Sequence, residues 1–161
     1  MKRFVILLLL ASITTFTFAQ EKMVDKAEKE AIVAVIKKLF DGMRAQDSSM
    51  ISPLFFPGAT LSTASFDKEG KPQYKQDDIQ GFINFVGTKS DNYMDERLYS
   101  YDVTIDGPLA TAWTEYSFYR NKELSHCGYD LFTLFKSADG WKIVGIADTR
   151  RKTDCKTTEG K

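Results

Sequence analysis

The sequence predicts an α+β fold, helices first and an antiparallel sheet after them, on three observations. Apolar residues recur at helical spacing through residues 21–45. From Glu96 onward the pattern switches to the period of two that strands require. Between the last two such runs, Ser137-Ala138-Asp139-Gly140 is a turn signal.

Ile32, Ile36, Leu39 and Met43 form the stripe of the first helix, widened by Val35 and Phe40, with Lys37, Lys38, Asp41 and Arg44 opposite. Gly42 is its weak point. Asp47-Ser48-Ser49 reads as a break and the cap of a short helix ending at Pro53. A buried turn at 54–58 leads to a strand over Ala59–Phe66, and 67–72 is a loop. Asp77 with Gln80 resembles a capping box heading a helix through about Val86. Gly87–Asp95 is polar and reads as loop. Leu98–Ile105, Leu109–Arg120 and the strands on either side of the final turn complete a four-stranded meander.

The final hairpin carries the candidate site. His126, Asp130, Phe132 and Leu134 share one face of its first strand, and Val144, Ile146, Asp148 and Arg150 share one face of its second. A three-residue loop pairs Ser137 with Trp141, which sets Asp148 opposite Asp130. Polar groups on an apolar face are costly to bury unpaired, so the pattern indicates a pocket. Two opposed carboxylates raise one another's pKa and suit a general acid or base, and Arg150 reaches either Asp130 or His126. The same cluster also reads as a self-satisfied ion network shaping the pocket's mouth. Trp113, Tyr101, Tyr116 and Phe132 are candidate ligand contacts, with plain core packing as the alternative.

The ends bound the setting. Lys2 and Arg3, the apolar run Phe4–Ile13 and Thr17-Phe18-Ala19 read as a signal peptide over 1–19, leaving one domain over 20–161. The alternative is an uncleaved anchor, although the run is short for a membrane span. Localisation is then secreted or periplasmic, without a stable membrane anchor. Losing Lys2 and Arg3 from 22 basic residues against 22 acidic leaves the chain slightly acidic, with no footprint for nucleic acid. In an oxidising compartment Cys127 and Cys155 can bridge, because Cys127 faces Arg151 and a polar tail brings Cys155 back. Two free thiols are the alternative. A single His without a CxxC pair argues against a metal site, and no glycine-rich phosphate loop or G-x-S-x-G elbow occurs. No cofactor is expected.

The element order, together with Gly140, Lys142-Ile143-Val144 and Asp148 on the last strand, resembles the NTF2-like superfamily, in its SnoaL-like and lumazine-binding-like branches. The resemblance covers about residues 25–151. It implies an NTF2-like cone, a curved antiparallel sheet wrapped around N-terminal helices, with a ligand cavity between them and a homodimer through the outer sheet face. The apolar row Tyr129, Leu131, Phe135, Trp141 and Ile143 agrees with a covered outer face. In SnoaL-like cyclases the residue matching Asp148 is the catalytic acid/base, working with a histidine on a neighbouring strand. The leading expectation is an exported protein binding a small apolar or aromatic ligand. The alternatives are a cofactor-independent isomerase, dehydratase or cyclase using Asp148 and His126, and a dimerisation module whose cavity is filled.

Overall fold

The computed structural model describes residues 25–157, so the signal segment 1–19 and the expected mature start at Gln20 lie outside the described residues. The first helix, α1, runs over 25–45, with Ile32, Ile36, Leu39, Phe40 and Met43 all buried as its periodicity requires. Gly42 has a packing role. A Cβ there would lie 2.4 Å from Ile51 Cγ2 of α2 (Ser48–Ile51), so glycine lets the short second helix cross close by. Asp47 caps α2, its side chain accepting from Ser49 N, and a 3-10 turn (Ser52–Leu54) follows.

Seven strands follow: β1 (Phe55–Phe66), β2 (Pro72–Asp78), β3 (Met94–Leu98), β4 (Asp102–Asp106), β5 (Leu109–Arg120), β6 (Glu123–Ser137) and β7 (Gly140–Arg150). Helix α3 (Ile79–Gly87) separates β2 from β3. The sheet order is β2-β1-β7-β6-β5-β3, with β4 also on β5. The result is the α+β cone, an open curved sheet closed over α1, where Phe40 meets Phe132 edge-on with ring centroids 6.1 Å apart.

The expected strand over Leu98–Ile105 is broken, with β3 ending at Leu98 and β4 starting at Asp102, both paired with β5. Four further features depart from the sequence reading. The sheet is mixed, since β1 lies parallel to β7. Pro72–Asp78 is an edge strand, exposed along its whole length, so no alternation marked it. The helix cap is Asp78, whose carboxylate accepts from Gly81 N, one residue after the expected Asp77. The fourth concerns the final hairpin. Its turn has two residues, pairing Ser137 with Gly140, and a bulge leaves Val144 unpaired between Ile143 and Gly145. The two differences cancel, so Asp130 still faces Asp148. They also shift the phase of β7 before the bulge. Trp141 and Ile143 are therefore buried on the inner face, contrary to their expected outer position. Trp141 Nε1 donates to Glu28 Oε2 at 2.7 Å, while Lys136 Nζ reaches Glu28 Oε1 at 2.6 Å. This pins the turn end of the hairpin to α1.

Candidate functional site

Between α1, α3 and the concave sheet face lies a cavity of about 230 Å³. Leu39, Phe40, Met43, Phe82, Phe132 and Ile146 make most of it apolar. Its polar end gathers six groups from four strands: Glu96 from β3; His126 and Asp130 from β6; Asp148 and Arg150 from β7; and Tyr116 from β5 behind them.

The β7 side is a clamp. Asp148 accepts from Arg150 Nε at 2.6 Å and from Thr63 Oγ1 of β1 at 2.5 Å, with the Tyr116 hydroxyl at 3.4 Å. Its side chain is only 8% exposed, whereas half of the Arg150 side chain reaches water. Local distortion makes this clamp possible. Tyr129 N donates to Thr149 Oγ1, and the Thr149 carbonyl accepts from the Tyr116 hydroxyl at 2.8 Å. Gly128 permits the approach, because a Cβ there would lie 1.8 Å from the Thr149 carbonyl oxygen.

The β3 side works differently. Glu96 hydrogen-bonds Asp130, and two carboxyl groups can do so only with a proton between them. Burial, reinforced by the Asp148 charge, pushes Glu96 up to about 7. Burial and the Glu96 charge raise Asp130 well above the usual carboxylate range. Thr114 Oγ1 lies 3.4 Å from Asp130. The surface Glu96 retains faces this cavity and a second one of about 280 Å³ on its far side, lined by Lys37, Arg44 and Tyr101 among others. Burial, with the Arg150 charge, lowers His126 to about 4, so its imidazole is neutral at pH 7. It sits against Phe118 and Tyr116 with Ser125 Oγ 3.1 Å from Nδ1. Burial and the Asp148 charge raise the Tyr116 phenol, which stays protonated.

Two comparisons place the chain, one by family and one by fold. Residues 27–146 match the family described as "Putative lumazine-binding". The chain belongs to this family. Its fold is that of the NTF2-like superfamily, as solved structures show. An NTF2-like protein of unknown function from Shewanella baltica is 22% identical, aligning 79% of this chain with 96% of its own at a TM-score of 0.56. One with a cystatin-like fold from Novosphingobium aromaticivorans is 12% identical, with 84% and 89% covered and a TM-score of 0.65. An NTF2-like superfamily protein from Salmonella enterica is 19% identical, with 85% and 99% covered and a TM-score of 0.62. No curated protein matches the sequence.

Within this member of the lumazine-binding-like family, the structure brings Asp148, His126, Asp130, Arg150, Tyr116 and Phe132 to one cavity. It does not bring Trp113 or Tyr101 there. Trp113 lies on the outer face, 44% exposed and stacked on Tyr129 at 5.2 Å, because β5 turns its odd-numbered residues outward. Tyr101 falls between β3 and β4 and lines the second cavity. The residue missed was Glu96. Its signal was the alternation Met94, Glu96, Leu98, cut short because Met94 and Asp95 fell in the stretch Gly87–Asp95 that reads as loop. The sulfurs of Cys127 and Cys155 lie 2.07 Å apart with Cα atoms 5.5 Å apart. The tail that carries Cys155 folds back over β5, where Ser117 Oγ and the Tyr99 hydroxyl both donate to the Lys156 carbonyl.

Proposed function

We propose that this protein binds a small one- or two-ring molecule in the cone cavity, after export to the periplasm or beyond the cell. The carrying observation is the cavity itself, greasy along its walls and ending in a proton-sharing carboxyl pair. At about 30 Å³ per water in the liquid, its volume corresponds to roughly eight waters, a scale that suits a compact ring rather than a long chain. Native mass spectrometry of protein purified from its own source tests the reading. The expected result is a noncovalent adduct that disappears in Leu61→Trp, which fills the cavity. A ligand-free protein alongside an intact dimer would oppose it.

A second reading, a cofactor-independent isomerase, dehydratase or cyclase, is favoured by the Glu96–Asp130 pair, in which one carboxyl holds a proton while the other can accept one. In this form the proton transfer rests on that pair. Asp148 is occupied by Arg150 and Thr63, and His126 is a weak base.

We further propose a homodimer through the outer sheet face, where Trp113 stacks on Tyr129 and Phe56 meets Phe135 beside Leu131. Such a face calls for cover. Leu131→Glu places a charge there and should yield a monomer in sedimentation; an unchanged dimer would move the interface elsewhere. In an oxidising compartment the Cys127–Cys155 bridge would hold the C-terminal tail on β5.

A further inference from the structure

The cavity is electrically lopsided along its length. At the buried end the Glu96–Asp130 pair shares one proton and so keeps a negative charge, while Arg150 is neutralised by Asp148. At the other end stands Arg120. Thr114, Tyr116, Phe118 and Arg120 occupy alternate positions on β5 and share its inner face. In the β3–β5 ladder Glu96 faces Phe118 and Met94 faces Arg120, so Arg120 stands one inner-face step, about 7 Å along the strand, from the rung of Glu96. Arg120 lines the cavity and also an adjoining polar recess of about 220 Å³ with Thr88, Ser90 and Asn92. Among the described residues it has no ion-pair partner. Glu123, its partner in the ladder, forms none with it. Arg120 is close enough to impose positive potential on His126.

We propose that the cavity selects a two-ended ligand, with a ring or hydrocarbon body, an N–H or O–H donor against the Glu96–Asp130 pair, and a small oxyanion at the mouth held by Arg120. The inference rests on the cavity-binding reading above. The donor satisfies carboxylate oxygens that have little water, and the anion meets a planar guanidinium able to hold it through two hydrogen bonds. The reverse orientation would drive an anion onto a buried negative pair and is excluded by charge. The recess leaves room at the mouth for a carboxylate or a phosphate alike.

Four probes in a nuclear magnetic resonance titration of the exported, oxidised protein test this: p-cresol, 3-(4-hydroxyphenyl)propionate, its methyl ester and 3-phenylpropionate. The hydroxy acid should bind roughly tenfold tighter than its ester, the scale of one charge-assisted hydrogen bond. It should also bind tighter than 3-phenylpropionate, which lacks the donor. Arg120→Gln, a rim substitution that leaves the core intact, should erase the acid–ester gap, and Arg120→Lys should keep part of it. Added salt should shrink the gap in the parent. An acid and ester of equal affinity, a gap that survives Arg120→Gln, or 3-phenylpropionate matching the hydroxy acid would overturn the proposal. Binding of p-cresol under those conditions would leave the cavity reading standing. If none of the four binds, both readings fail.

Discussion

Asp130 and Asp148 face each other across one rung of the β6–β7 ladder, and both are buried, yet they belong to different chemistries. On the β7 side a guanidinium and two hydroxyls surround Asp148, so its charge is compensated where it stands. On the β3 side Asp130 meets another carboxyl in an apolar wall, and a proton takes the place that a cation fills opposite. The contrast teaches that the register brings the acids together, while the strands further out in the sheet decide what each becomes. β1 supplies a donor; β3 supplies a second acid.

The largest expected effect comes from Gly128→Ala, which breaks the clamp side at its root. The new methyl would meet the Thr149 carbonyl, so β6 and β7 must part where Asp148 and Arg150 are held. Such overpacking against backbone should cost about 4 kcal/mol or more in urea unfolding. A loss below about 1 kcal/mol would mean the distortion at Thr149 is not needed.

Asp148→Asn keeps the shape and removes the charge. Arg150 would lose its partner but can turn toward water, since half of it is already exposed. The expected loss is therefore about 2 kcal/mol, below that of a fully buried pair. An Asn variant as stable as the parent would put Asp148 on the same footing as Asp130 and dissolve the comparison.

Asp130→Asn should have the smallest effect, and one that depends on pH. Glu96 titrates at about 7 in the folded chain against 4.5 unfolded, so the stabilisation from its shared proton is complete below about 4.5 and fades as pH rises through 7. His126 works in the opposite direction: its lowered value makes stability fall as pH drops from 6.5 toward 4. Parent melting temperatures recorded from pH 5 to 8 should show the decline from the acid pair. Asp130, itself raised well above the usual range, adds to that decline. In Asp130→Asn burial still raises Glu96, so the decline should shrink without vanishing, with stability at pH 8 equal to or above the parent's. Identical slopes in the two proteins would show that no proton is shared.

The same contrast explains what the sequence disclosed. The clamp side was legible because β6 and the part of β7 after Val144 alternate cleanly on either side of the Ser137–Gly140 turn, so His126, Asp130, Asp148 and Arg150 emerge on one face. The facing of the two acids was read correctly through two compensating local differences, a shorter turn and a bulge at Val144. The inward place of Trp141 and Ile143 was lost for the same reason, since a bulge leaves no mark in the period of two. The proton-sharing side was not legible. Three of the five residues of Met94–Leu98 are charged, and only the fold shows that Glu96 is the one turned inward. Trp113 misled because period-two alternation identifies two faces without saying which one is concave.

The parallel pairing of β1 with β7 has a kinetic meaning. Thr63 and Asp148 are 85 residues apart, so the central ladder closes only when nearly the whole chain is available. Loop closure of that length must be achieved before its contacts reward it, which places folding in the slow, non-local regime. A chain delivered from its N-terminus first must hold the apolar face of β1 without its partner until the last strand arrives. In that interval the chain is exposed to aggregation.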